Sequence, residues 1–359
     1  MTTQKPALSA RAWWSRARLA IALGSVASVV VAGLIAASTD WHSTVPSARQ
    51  KYKDEYRRPA AIPYPSHNAR TPARELLGRS LFFDPRLSGS AWISCATCHN
   101  PGLSWSDGLP RALGHGMVQL GRRSPTILNL AWSPALFWDG RAESLEEQAL
   151  GPIEAPGEMN MGLEDMVGRL QSIAGYRALF ENAYAGEPIS TETVAKALAT
   201  FERGVVSGQA PFDRWITGDE EAISAAAERG FVLFNEKARC STCHSGWRFT
   251  DDSFYDIGMK HNDVGRAKVT PKIGLAHFAF KTPTLRSVVK RAPYMHDGSS
   301  ATLEEVIDLY DRGGVVHRPS LSPEIKPLHL TSGEKQDLVA FLETLTSQDA
   351  EARVPVLPR

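Results

Sequence analysis

The chain contains Cys95-Ala96-Thr97-Cys98-His99 and, in its second half, Cys240-Ser241-Thr242-Cys243-His244. Cys-x-x-Cys-His is the attachment signature of a c-type haem: two thiols add to the porphyrin vinyl groups and the next histidine lies beneath the iron as proximal ligand. Two copies predict two covalent haems, bound through Cys95, Cys98, Cys240 and Cys243, with His99 and His244 on the irons. A zinc site or a thioredoxin-like pair would use Cys-x-x-Cys alone and leave each following histidine unexplained. All 4 cysteines fall in the two motifs, so none remains for a conventional disulfide framework.

At 359 residues the chain has room for two domains, and one haem per half fits that number. Its 40 basic residues balance 39 acidic ones, so no overall field points to nucleic acid or an acidic polymer. Residues 1–18 carry Lys5, Arg11, Arg16 and Arg18 and no acidic residue, and residues 19–38 carry no charge. That length can span a bilayer, and the basic flank sets the N-terminus inside. The segment predicts export to the periplasm, where c-type haem is attached, as a signal peptide or a transmembrane anchor. Ile35-Ala36-Ala37 is a weak cleavage site and the apolar run is long, which favours the anchor. Residues 39–70, polar and bearing Pro59, Pro63 and Pro65, read as a tether, and residues 350–359 as a tail. Membrane contact is expected only through the N-terminal segment.

A degenerate internal repeat accompanies the motifs. Leu76-Leu77-Gly78-Arg79-Ser80-Leu81-Phe82 precedes the first, and Arg229-Gly230-Phe231-Val232-Leu233-Phe234 the second. Each reads as an amphipathic helix whose glycine permits a close helix crossing, followed by a loop into Cys-x-x-Cys-His. Each half also closes with a helical run, Thr193 to Val206 and Ser332 to Leu345. The expected fold is mainly α: two cytochrome c-like domains, residues 71–207 and 208–349, each with one covalent c-type haem.

Further stretches carry a family resemblance: Leu81-Phe82-Phe83-Asp84-Pro85-Arg86-Leu87-Ser88, Phe137-Trp138-Asp139-Gly140-Arg141, Glu158-Met159-Asn160, and Ala292-Pro293-Tyr294-Met295-His296-Asp297-Gly298 leading into Thr302-Leu303-Glu304-Glu305. With the paired haem motifs, the sequence resembles the bacterial diheme cytochrome c peroxidase and MauG family over most of residues 71–347. The resemblance implies two helical domains whose haems face one another, with hydrogen peroxide reduced at the first.

An iron with two strong protein ligands only passes electrons, whereas an open position binds peroxide. His115, flanked by Gly114 and Gly116, matches the histidine that caps the resting peroxidatic haem in the peroxidases. MauG-type members lack that cap. Glu158 matches the distal acid that moves a proton between the peroxide oxygens, and Gln148 and Pro152 match other pocket residues. Trp138 matches the tryptophan between the haems and is read as the electron relay. Trp92, Trp105, Trp132, Trp215 and Trp247 are assigned to packing. Tyr310 matches the distal ligand of the second haem, tyrosine in MauG-like members and methionine in the cytochrome-coupled peroxidases. A hard phenolate favours ferric and higher states, so a His/Tyr haem stores an oxidising equivalent.

Two departures matter. The peroxidases hold calcium between the domains with an asparagine, where this chain has Arg123, and a guanidinium cannot ligate a cation. This argues against calcium. MauG-type members also pass holes through a tryptophan two residues before the second motif, here Ala238, which argues against maturation of methylamine dehydrogenase. The expected electron donor is a protein: a partner's side chain, favoured by Tyr310, or a cytochrome c or cupredoxin, favoured by His115. A reading of another class, a non-enzymatic diheme electron carrier, predicts both irons six-coordinate and no use for Glu158. Residues 257–280, with His261 and His277, receive no mechanistic reading, and the two histidines are expected to be solvated.

Overall fold

The structure, a computed structural model, describes residues 47–349 and 352–359. The expected basic segment 1–18 and apolar segment 19–38 lie outside them. No helix among the described residues is long and apolar enough to cross a membrane. The chain divides into two compact units, Met1–Lys51 and Tyr52–Arg359, and the second carries all that follows.

The protein is mainly helical, with eleven α-helices and one two-stranded sheet among the described residues. Six helices form the framework: α1 (Pro72–Phe82), α2 (Leu145–Glu154), α3 (Thr191–Arg203), α4 (Ala225–Asn235), α5 (Leu303–Asp311) and α6 (Ser332–Glu343). Their starts follow from local chemistry. Thr71 caps α1 ahead of Pro72, and Ser190 with Thr193 forms a capping box that starts α3 two residues earlier than its apolar spacing predicts.

In each half the first helix crosses the closing helix at a glycine. A β-carbon on Gly78 would stand 1.9 Å from the Ala197 carbonyl oxygen, and one on Gly230 would stand 1.9 Å from that of Asp337. No other residue fits at either crossing. Around the first, Leu77, Leu81 and Phe82 of α1 meet Val194, Leu198 and Phe201 of α3 in one apolar core. Around the second, Phe231 and Phe234 of α4 pack on Phe341 of α6, with centroids 5.4 and 5.1 Å apart.

A second repeat lies between the framework helices. Residues 122–154 and 280–312 follow the same path without insertion or deletion. Both contain a left-handed residue, Asn129 or Ser287, then a tight turn with positive φ at Phe137 and Gly140 or at Met295 and Gly298. The turns close through the bridges Leu136 to Ala142 and Tyr294 to Ser300. Ser144 and Thr302 then cap α2 and α5. The sheet pairs β1 (Phe254–Tyr255) with β2 (Phe280–Lys281) antiparallel, Phe254 opposite Lys281.

Two expectations about chain ends differ from the structure. Much of the expected tether is built into the body: Tyr56 is fully buried, stacks on Phe249 at 5.0 Å and donates to Asn235 at 2.7 Å, and Asn68 is fully buried too. Buried aromatic area outweighs the local signal of proline and charge. The tail folds back as well, its Arg359 carbonyl accepting from the Gly175 N–H at 2.7 Å.

Overpacking a tight contact costs about 1–3 kcal/mol. Gly230→Ala is therefore expected to lower the melting temperature of the holoprotein by several degrees, whereas Gly333→Ala, whose β-carbon would meet open space, leaves it unchanged. Thermal unfolding followed by circular dichroism checks this.

Candidate functional site

Both Cys-x-x-Cys-His stretches open onto one cavity of about 1000 Å³. Ser94 and Thr97 cap the turn Cys95–Cys98, and the His99 N–H donates to the Cys95 carbonyl at 2.9 Å. The second stretch repeats this, with the His244 N–H on the Cys240 carbonyl at 2.9 Å.

Each imidazole is aimed through its Nδ1. His99 Nδ1 lies 3.3 Å from the Trp105 carbonyl and His244 Nδ1 lies 2.9 Å from that of Phe249. A carbonyl only accepts, so Nδ1 carries the proton and Nε2 keeps its lone pair for a metal. The two carbonyls are themselves held by the helix crossings. The Trp105 ring wedges between Phe82 of α1 and Phe201 of α3, at 5.9 and 6.1 Å, and the Phe249 ring between Phe234 of α4 and Phe341 of α6, at 6.0 and 5.9 Å. Burial pushes both histidines toward the neutral form that binds metal. The four thiols are free. Burial raises them all, Cys98 and Cys243 to about 11 and Cys240 to about 12. Two free thiols and one oriented imidazole per motif, facing a cavity of this size, fit haem.

Most other expected site residues line the same cavity. Trp138 is tied on both sides: its Nε1–H donates to the Arg123 carbonyl at 3.0 Å, and its own carbonyl accepts from the Lys281 N–H at 2.8 Å. Glu158 follows α2 in a loop fastened by Met159 N–H to the Pro152 carbonyl, and burial raises its pKa against the opposing charge of Arg141. Gln148 and Pro152 present α2 to the cavity, and Tyr310 presents α5. Burial, then the nearby Cys243 and Cys240, hold the Tyr310 phenol protonated. Helix α5 ends just beyond, where Gly313 and Gly314 turn back onto the Tyr310 and Leu309 carbonyls in a Schellman motif.

The repeat gives these positions a common frame. Pro152 in α2 and Tyr310 in α5 occupy equivalent places, as do Trp138 and His296, whose rings meet edge to face at 6.4 Å. His115 is the expected site residue that the cavity lining lacks. Its N–H donates to the Glu158 carbonyl at 2.8 Å, so its loop is fastened to the acid's, and its Nδ1 is buried without a partner. The assignment of five tryptophans to packing holds for buried Trp105 and Trp215, while Trp92 is 51% exposed. Trp132 and Trp247 form an edge-to-face pair at 4.8 Å.

Sequence reasoning missed three cavity features. The segment 257–280 lines it through Met259, His261, Phe278 and Phe280, and His261 is half-buried rather than free in solvent: it packs on His296 at 4.5 Å. His296 is buried and stacks on Phe280 at 3.7 Å. Glu202, near the end of α3, is buried with Oε2 unpartnered, and burial pushes its pKa up to about 8. A glutamate one turn after Leu198, on the apolar face, was the available signal for Glu202.

Residues 72–221 match the di-haem cytochrome c peroxidase family. The chain is 56% identical over 309 residues to the methylamine utilization protein MauG of Methylorubrum extorquens, an alignment covering 85% of this chain and 87% of that protein. It is 47% identical over 333 residues to the protein of the same name from Methylophilus methylotrophus, covering 92% and 98%. Among solved structures, a MauG-like protein associated with microbial copper homeostasis superposes with a TM-score of 0.74 at 33% identity, over 81% of this chain and 95% of that one. The chain belongs to the di-haem cytochrome c peroxidase and MauG family. It is an oxidoreductase that uses haem cofactors, peroxide and a protein electron partner, and the reading as a plain electron carrier is set aside.

The Glu202 pKa, raised from about 4.5 to about 8, sets a pH dependence. The folded state holds this proton more tightly than the unfolded chain, so the stability it contributes is present below about pH 4.5 and lost as pH rises through about 8. Glu202→Gln is expected to remove that part of the fall in melting temperature across this window, as a pH series on wild type and variant will measure.

Proposed function

We propose that this chain is a periplasmic enzyme with two covalent c-type haems, one in residues 71–207 and one in residues 208–349, that uses hydrogen peroxide to oxidise a protein partner at a distance. The observation that carries this reading is the single cavity onto which both Cys-x-x-Cys-His motifs open, with Trp138, Glu158 and Tyr310 in its lining. When bound, the haems supply the iron that reduces peroxide and a second redox centre that shares its oxidising equivalents.

The chain's residues do the rest. Cys95 and Cys98, and Cys240 and Cys243, form the thioether bonds, and His99 and His244 give Nε2 to the irons. Glu158 takes the proton from the near oxygen of peroxide and returns it to the far one. Its raised pKa suits both steps, and Arg141 limits the rise so that the carboxylate remains accessible. Gln148 faces the same pocket with an amide. The Pro152 side chain has no donor atom and would leave the first site open to peroxide. Tyr310, at the equivalent place, has a phenol oxygen that would serve as a ligand at the second. Trp138, hydrogen-bonded to both halves, relays electrons between them.

The partner we favour is a protein of methylamine utilisation, supported by the names of the relatives that are 56% and 47% identical. Ala238 stands where the resemblance implies a tryptophan, so electrons from that partner enter by another route. The periplasm is supported by the charge pattern of residues 1–38 and by where c-type haem is attached. A second reading, a peroxidase fed by a small cytochrome c or cupredoxin, is favoured by His115, whose loop is hydrogen-bonded to that of Glu158.

Low-temperature electron paramagnetic resonance of the ferric holoenzyme, before and after one equivalent of peroxide, tests this. Expected are a high-spin signal from the first haem and a low-spin signal that changes in Tyr310→Met, both lost on adding peroxide. Two low-spin signals that react only after one-electron reduction would establish the second reading, and two that never react would overturn both. Pro152→Tyr is expected to turn the high-spin signal low-spin and to slow the reaction with peroxide at least tenfold, the effect of about 1.4 kcal/mol on the barrier.

A further inference from the structure

The resemblance implies a calcium ion between the two halves, and Arg123 stands at its asparagine ligand. The structure brings a second guanidinium to the same cavity. Arg123 and Arg291 both line it, and they are only 7% and 8% exposed. Arg123 donates through Nη2 to Ser106 Oγ at 3.2 Å, while its Nε is buried without a partner. Arg291 donates through Nη2 to the carbonyls of Thr284 at 2.6 Å and Arg286 at 2.9 Å, and through Nε to that of Ser287 at 3.4 Å. All these acceptors are neutral. Among the described residues no carboxylate comes within ion-pair distance of either arginine, although buried Arg203 and half-buried Arg122 each meet one at 2.7 Å.

Burial opposes the charge of both guanidiniums; Asp107, beyond ion-pair distance, partly offsets this for Arg123, and Arg123 further repels Arg291. Two buried cations that face one cavity with no carboxylate paired to either are stabilised when the cavity receives an anion. The anion a guanidinium fork fits best in a haem cavity is the carboxylate of a porphyrin acid side chain. Calcium fits this place badly. It needs six to eight oxygen ligands, and here Arg123 brings a guanidinium, which has no acceptor atom, where the resemblance implies an asparagine oxygen. The carbonyls of Thr284 and Arg286 instead accept from the Arg291 guanidinium, and that of Arg123 from the Trp138 indole.

We infer that Arg123 and Arg291 together replace calcium in this enzyme, their two positive charges holding haem carboxylates beside Trp138. The inference rests on the diheme reading above. It makes the enzyme independent of calcium. It also makes Arg123 a positioning residue, since one side chain neutralises the cofactor's acid groups while its own carbonyl fixes the relay indole.

The test uses the holoenzyme, with haem first counted as the pyridine haemochrome. A count other than two defeats the diheme reading and leaves this inference without its premise. With two haems present, calcium content, the resonance spectrum and the midpoint potentials are measured after EGTA and after added calcium chloride, for wild type, Arg123→Gln and Arg123→Lys. Expected are no retained calcium, identical spectra and potentials in both media, lower potentials in Arg123→Gln because a cation favours the reduced haem, and potentials near wild type in Arg123→Lys. Stoichiometric calcium, or a spin state that changes in EGTA and returns with calcium, would overturn the inference, as would unmoved potentials in Arg123→Gln. If Arg123→Gln fails to assemble, the calcium titration of wild type decides alone.

Discussion

A glycine pressed against a backbone carbonyl sets the frame of each half, and the metal-binding geometry descends from it. Because Gly78 lets α1 touch α3 and Gly230 lets α4 touch α6, the two helix pairs close to a separation that grips one aromatic ring, Trp105 or Phe249. Gripping the ring fixes its carbonyl, and the carbonyl fixes Nδ1 of His99 or His244. A histidine held this way presents Nε2 at one place and in one tautomer. The glycine, ring, carbonyl and imidazole act in series, so slack at any step would reach Nε2.

On this duplicated frame the halves differ in side chains rather than in path. Residues 122–154 and 280–312 share their turns, bridges and helix caps, and they share supporting contacts as well. Thr126 donates to the Ser104 carbonyl as Thr284 donates to that of Arg248, and Ser106 donates to Ser124 as Thr250 donates to Thr282. Within that common backbone, Pro152 stands where Tyr310 stands, Gln148 where Val306 stands, and Trp138 where His296 stands. The proposed division into an open, proton-handling first site and a closed, charge-storing second site needs no change of fold. It needs a residue without a donor atom in one helix and a phenol in the other.

The parts legible in the sequence were those where chemistry leaves a short, rigid signature. The two Cys-x-x-Cys-His stretches, which share one cavity, stood out because their spacing and residue types form a fixed signature, and the two glycines because each sits in an apolar helix before its motif. The second repeat was harder to see, since its shared features are backbone angles and Phe137 and Met295 adopt positive φ without being glycine. Proline and charge made residues 39–70 resemble a tether, and nothing local announces that Tyr56 fills a gap between aromatic rings contributed by Phe212, Phe231 and Phe249. Residues 257–280 lack periodicity because, apart from two three-residue 3-10 turns and the first residue of β2, they run as loop against the cavity. The Arg291 partnership was invisible for a similar reason: a lone arginine before Ala292-Pro293 gains meaning only when Arg123 is brought to the same cavity.

The surroundings of Trp138 combine these features in one electrostatic arrangement. An indole that relays electrons must tolerate a transient positive charge, which a neighbouring cation would oppose. The group in ring contact with it, His296, is buried, and burial pushes its pKa down to about 4, with His261 alongside adding to the shift and Asp297 opposing it. At neutral pH the relay's neighbour is therefore an uncharged imidazole stacked on Phe280. Arg123 is tied to the indole through its carbonyl, a dipole whose negative end faces Nε1, while its guanidinium lies in contact with Ser106. The repeat supplies an imidazole at the place equivalent to the indole, and burial in the 257–280 loop keeps it neutral. The ring in contact with the proposed relay is thus neutral and its Nε1–H faces a carbonyl oxygen, while the guanidinium charge proposed beside it is matched by the carboxylates it would hold.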